Sequence, residues 1–198
     1  MMTIQYQSLF LNMNQHLQPM LKILTSILLL TLVACSQQTG SDEKLKFQNW
    51  ETFDHEKYSV KYPPEWELDE SGKMGTSFIL FSPVESTSDK FRANVNLLIQ
   101  DIPDSINLYV YTEISLEQIN VQLPNAHIIE NIRINSDADE QHMLIYSGDQ
   151  NGFQLQFEQY FWVINTKAYV LTFTCEKNKF EEFRETGEGI LNSFKLKL

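Results

Sequence analysis

From residue 58 onward apolar and polar positions alternate in short runs, the period of strands with one covered face. "YSVKY", residues 58–62, opens the series. Pro63-Pro64 stops it, because proline cannot donate to a ladder. A short return follows at residues 66–68, and "SFILFS", residues 77–82, is apolar on both faces. In "FRANVNLLIQ", residues 91–100, Phe91, Ala93, Val95, Leu97 and Ile99 fall on one face and mostly polar residues on the other. "AHIIENIRIN" and "HMLIYSG" give two more strands joined by acidic "SDADE". Asn151-Gly152 then turns the chain into a long strand, residues 153–164, and "NTK" turns it again into residues 168–175.

The long strand predicts the layering. Phe153, Leu155, Phe157, Phe161 and Val163 share one face. The other starts polar at Gln154, Gln156 and Glu158 and becomes Tyr160, Trp162 and Ile164. A solvated face would stay polar, so part of the sheet is covered on both sides. Two helical patterns supply the covers. Residues 105–123 end at Pro124 and carry two stripes, Ile106/Val110/Ile114/Val121 and Tyr109/Leu116/Ile119/Leu123, with a strand at "NLYVYTE" as the alternative. The second pattern has Asn178 as its cap, Glu181 three residues on as in a capping box, and one stripe of Phe180, Phe183, Gly187, Ile190, Leu191 and Phe194. The expected class is α+β: an antiparallel sheet of about six to eight strands between helices.

The N-terminal part follows other rules. Ile23–Val33 is an apolar run of 11 residues behind Lys22, well short of the ~20 a helix needs to cross a bilayer. It has the length of a signal-peptide core, with small Ala34 after it. Leu32-Val33-Ala34-Cys35 resembles the lipobox of bacterial lipoproteins. That resemblance implies cleavage before Cys35, a diacylglycerol on its sulfur and often an acyl group such as palmitate on the new amine. The alternative is a cysteine left at the end of an uncleaved segment. A start at Met20 gives a compact leader, and initiation is expected there. Ser36 in place of Asp implies, by the same resemblance, the outer membrane if the envelope is Gram-negative. Residues 36–46 are polar, lack periodicity and read as a tether that reaches about 35 Å when extended. The expected organisation is therefore a leader over 1–34, the lipidated cysteine and linker over 35–46, and a globular domain over 47–198.

Charge narrows the partners. The chain carries a formal net charge of −11. Without the leader, whose only charge is Lys22, 14 basic and 26 acidic residues remain, a net −12. Such a surface repels phosphate backbones and anionic headgroups, so no nucleic-acid partner is expected and any membrane attachment needs a covalent or apolar anchor.

"YSVKYPPEW" at the start of the domain, "KAYVLTFTC" near its end and the closing "ILNSFKL" resemble the PsbP-like family, over about residue 47 to the C-terminus. The family fold is an antiparallel sheet between helices. The resemblance implies a non-catalytic extrinsic subunit, adaptor or binding module, and it carries no catalytic residues across.

Motifs for reactive chemistry are missing: there is no G-x-S-x-G, G-x-x-x-x-G-K or G-x-G-x-x-G. With Cys35 lipidated, Cys175 stands alone and reads as a buried small hydrophobe. His55, His127 and His142 lack metal-ligand spacing. Asn135, Asp137 and Asp139 mimic the first half of a calcium loop, but Glu140 stands where the turn glycine belongs and Tyr146 where the bidentate Glu would sit. A polar hairpin is the plainer reading. No metal site, cofactor or catalytic residue is expected. Candidate contact residues are aromatic: Tyr109 and Tyr111, of which Tyr111 lies on neither stripe and is expected to be the more exposed.

The expected function is a lipid-anchored, non-catalytic accessory or binding module of the bacterial cell envelope, with Cys35 as anchor. Its partner is a protein or a small apolar ligand, bound at the sheet edge or in a helix–sheet groove. One alternative is a carrier of a small hydrophobic molecule, which requires an apolar cavity of roughly 300 Å³ or more between sheet and helix. Another is a carboxylate-dependent hydrolase, which requires acids converging in a cleft.

Overall fold

The computed structural model describes residues 47–84, 86, 90–135 and 140–197. The leader, Cys35, the tether and the candidate ligands Asp137 and Asp139 lie outside the described residues. The chain divides into Met1–Gln48 and Asn49–Leu198, and the architecture below is that of the second unit.

The elements in chain order are β1 (Glu51–Asp54), β2 (Tyr58–Tyr62), β3 (Glu67–Asp69), β4 (Thr76–Phe81), β5 (Asn94–Asp101), α1 (Leu108–Gln122), β6 (His127–Asn135), β7 (Glu140–Gln150), β8 (Phe153–Ile164), β9 (Lys167–Glu176), α2 (Phe180–Ser193) and β10 (Lys195–Leu196). Seven strands form one sheet in the order β3-β4-β5-β9-β8-β7-β6, and β1-β2-β10 form a second. Every pairing is antiparallel. The turns between β7, β8 and β9 place Asn151, Gly152, Asn165 and Thr166 at positive φ, the geometry of two-residue hairpins.

The large sheet is covered on both faces, as the two sides of β8 require. One face packs Val95, Leu97, Trp162, Leu171 and Phe173 against Phe180, Ile190 and Leu191 of α2 and Tyr58 and Val60 of β2. The other packs Leu144, Tyr146, Leu155, Phe157, Phe161 and Val170 under Leu108, with Leu116, Ile119 and Leu123 against them. Adjacent residues of one strand therefore serve two cores. Cys175 is free and buried in the first, and burial pushes its thiol up to about 12.

The motifs that suggested a family have packing roles. The amide of Trp66 donates to the carbonyl of Pro63 at 3.0 Å, so the double proline makes a turn that drops Trp66 into the first core. At the end of α2, the Ser193 Oγ accepts from the Lys61 amide at 2.8 Å and donates to the Ile190 carbonyl at 2.7 Å. Phe194 then turns inward, its ring centroid 5.3 Å from Trp162 and 5.8 Å from Tyr58.

Four details differ from the sequence reading. The small sheet was not foreseen: β1 is mostly exposed and β10 has 2 residues, so neither shows a periodic signal. Phe91 precedes β5 and packs into the second core, 5.4 Å from Phe153, instead of joining Ala93, Val95 and Leu97. The cap of α1 is Asn107, whose side chain accepts from the Val110 amide, and Leu116, Ile119 and Leu123 turn inward while Tyr109, Ile114 and Val121 stay exposed. The cap of α2 is Lys179, whose side chain makes no capping hydrogen bond, because Asn178 lies in a short 3₁₀ turn, Lys177–Lys179. Glu181 and Glu182 occupy the first turn, where the helix dipole favours acids.

Candidate functional site: an uncharged groove between α1 and the sheet

The helix α1 packs on β7 and β8. The neighbouring β9–β5 strip of the same face lies to the side of α1, reached by Tyr111 through its bond to Gln100. The result is an open groove of about 360 Å³. Its helical wall is Tyr111, Ser115, Gln118 and Gln122, spaced to line one side of a helix. Its floor is the cross-strand row Leu98–Val170–Phe161, fixed by the registers of β5 with β9 and of β9 with β8. Tyr146, Phe157 and Leu123 close one side, and Gln100, Gln150 and Gln159 supply the remaining polar groups.

Two amides are held in place. The Tyr111 hydroxyl donates to Gln100 Oε1. Gln159 Nε2 donates to Thr172 Oγ1 at 3.0 Å. The ring of Tyr111 stands 6.1 Å from that of Phe161 at 59°, and Tyr146 stacks on Phe157 at 4.7 Å. Burial raises the Tyr111 and Tyr146 phenols above their ordinary value, so both stay neutral donors. None of the lining residues is charged, although 21% of the chain is Asp, Glu, Lys or Arg. The volume exceeds the size set for a hydrophobic carrier, but the lining is mixed rather than apolar.

Of the two aromatic candidates, Tyr109 is exposed, at 58%. Tyr111, expected to be the more exposed, is half-buried in the groove wall. The two point to different surfaces, because Tyr109 belongs to the outer side of α1 with Glu113, Glu117 and Val121. The signal for the groove was present in the sequence: Gln159 interrupts the apolar face of β8 between Phe157 and Phe161.

Carboxylates do not converge in this groove. Among the described residues Glu158 is the one buried carboxylate, 2% exposed, and it lies on the opposite face, beside Tyr160. Among the described residues its Oε2 has no hydrogen-bond partner. Burial, and then the charge of Glu188 on α2, raise its carboxyl to about 7, against the opposing pull of Arg184 and a bond to Tyr160. The folded state therefore holds this proton more tightly than the unfolded chain. That contribution to stability is full below about pH 4.5 and is lost as the pH rises through about 7. Glu158→Gln is expected to stabilise the fold by about 1–2 kcal/mol at pH 8 and by much less at pH 4.5. Urea denaturation at the two pH values measures this, and an equal effect at both would contradict it.

Among the described residues no three His, Cys, Asp or Glu side chains converge as metal ligands. His55 stacks on Tyr58 at 4.5 Å. His142 contacts Asn131, and burial, helped by Arg133, lowers its pKa.

The architecture is that of a two-cored antiparallel α+β sandwich with a helix–sheet groove. The family model described as "PsbP-like protein" matches residues 29–196, and the chain belongs to that family. No curated protein matches the sequence. Among solved structures, LpqN of Mycobacterium tuberculosis, described as involved in cell envelope biogenesis, superposes with a TM-score of 0.56 at 13% identity, over 75% of this chain and 91% of LpqN. The cyanobacterial PsbP of Synechocystis sp. PCC 6803 gives 0.55 at 13% identity, over 75% and 93%. A Pseudomonas aeruginosa protein of unknown function, described as a putative regulator, gives 0.53 at 14%, over 73% and 95%. At these identities the likeness is one of fold.

Proposed function

We propose that this protein is a lipid-anchored, non-catalytic binding module of the bacterial cell envelope, tethered through Cys35 and binding its ligand in the groove between α1 and the seven-stranded sheet. The observation that carries the binding half is the groove itself: a concave site of about 360 Å³ that combines an apolar floor with oriented amides and no charged group. Small-molecule sites share that mixture, few polar groups over a largely apolar surface. Membership of the PsbP-like family and the fold shared with an envelope protein of Mycobacterium tuberculosis support the envelope setting. The lipobox-like residues 32–35 support the anchor.

The test of the groove is a variant that fills it. Ser115 lies in its wall, with its hydroxyl spent on the Tyr111 carbonyl. Ser115→Trp inserts an indole into the open space without removing a core contact. Native mass spectrometry of the protein released from its own envelope should show a bound adduct in the parent and at least a tenfold smaller adduct population in the variant. Equal adducts in both, or none in the parent, would contradict the reading.

A further inference from the structure

We propose that the groove binds a neutral carbohydrate of about two sugar rings; this rests on the reading of the groove as the binding site and names its ligand class. The lining excludes other chemistries in turn. An ionic ligand would shed its hydration with no counter-charge to receive it, and an anion would also meet a chain of net charge −11. A purely apolar ligand would cover the hydrogen-bonding groups that the glutamine amides still have open, at a cost of about 1–3 kcal/mol for each group fully desolvated. An extended peptide gains its affinity by joining a strand edge, whereas this groove is walled by a helix and a sheet face.

A sugar satisfies what remains. Hydroxyl groups both donate and accept, and a glutamine amide offers a donor and an acceptor side by side. The two oriented amides are primed in opposite senses. Gln100 spends its oxygen on Tyr111 and keeps its NH₂ as donor. Gln159 spends an N–H on Thr172 and keeps its oxygen as acceptor. The ladder registers place Gln100 two residues to one side of the Leu98–Val170–Phe161 row, and Gln159 two residues to the other. The two amides are thus about 13 Å apart along the strands, with an apolar and aromatic floor between. A pyranose has the same division, polarised C–H groups on its face and hydroxyls around its rim. The C–H face can settle on the half-buried Tyr111 ring, whose π-face is negative, while the rim reaches the amides; Phe161 lies beneath that ring, 6.1 Å away and buried. Gln118 and Gln122 stand exposed on the helical wall, and their amides have no hydrogen bond among the described residues.

The test uses the full chain in a detergent without a sugar headgroup, observed by NMR. Neutral cellobiose, lactose and N,N'-diacetylchitobiose are titrated, with cellobionate as the anionic control and 1-decanol as the apolar one. At least one neutral disaccharide should shift the ring signals of Tyr111 and Phe161 and the amide signal of Gln118, with cellobionate at least tenfold weaker. Gln159→Leu should weaken that binding at least tenfold. Gln118→Leu, on the exposed helix surface, should weaken it several-fold with an unchanged unfolding midpoint. No response to the three sugars, equal binding of cellobionate, or undiminished binding in both variants would overturn the assignment. A response to decanol alone would overturn it while leaving the groove as the binding site. Absence of every response, together with no groove-dependent adduct on the envelope-purified protein, would remove both readings.

Discussion

A chain given an ordinary secretory leader and Ala in place of Cys35 should leave the membrane fraction almost completely, whereas the parent should remain there through a carbonate wash. The expectation follows from the size of the anchoring terms. Each buried methylene contributes about 0.8 kcal/mol, so a single long acyl chain gives only reversible binding and two or more hold stably. The lipoprotein resemblance implies two chains on the sulfur and commonly a third on the amine. No described helix is long and apolar enough to cross a membrane, and the acidic surface is repelled by anionic headgroups. The secretory leader is needed in the test because an uncut precursor would be retained by its own apolar run. Fractionation with labelled palmitate measures the outcome. A parent without label, or a variant that survives the wash, would contradict the anchor.

Gly187→Ala should destabilise the domain by about 1–3 kcal/mol, the range of overpacked cores. Gly187 is buried in α2 where the helix meets β9, and a Cβ there would stand 2.6 Å from two atoms of the Phe173 ring. Phe173 is fully buried and packs against Phe180 at 5.8 Å, so it cannot swing aside. Alanine is otherwise the better helix former by about 1 kcal/mol, which makes the sign informative: a helix resting loosely on the sheet would be stabilised. Chemical denaturation measures the difference, and Gly187→Ala with Phe173→Leu should recover part of it by opening the space the methyl needs. A stabilised single variant would show that α2 does not approach the sheet as described.

The layers were readable because burial on both faces leaves a mark on one strand. In β8 the residues at 153, 155, 157, 161 and 163 are apolar, and so are 160, 162 and 164. No single-faced sheet explains that pattern, and each set belongs to a different core. The turns at 151–152 and 165–166 were equally legible, since their chemistry is local. What failed depends on tertiary contact. β1 and β10 exist only as neighbours of β2. Glu158 looked like a solvent position because it continues the polar run of Gln154 and Gln156. Its burial comes from the opposite face of the sheet, whose cover includes α2, carrying Arg184 and Glu188. The groove depends on where α1 sits across the sheet, a lateral offset that no periodicity encodes. Its one sequence trace, a glutamine between two phenylalanines on an apolar face, has meaning only once the helix is seen to lie to the side of that strip.

The most direct measurement of the account is site-specific photocrosslinking of the anchored protein in its own envelope. A photoreactive residue replaces Gln118 at the groove or, as control, Glu182 on the exposed surface of α2. One dominant adduct is expected from position 118, suppressed by Ser115→Trp, and little from position 182. Adducts from position 182 with none from 118, or adducts from 118 that persist when the groove is filled, would contradict it.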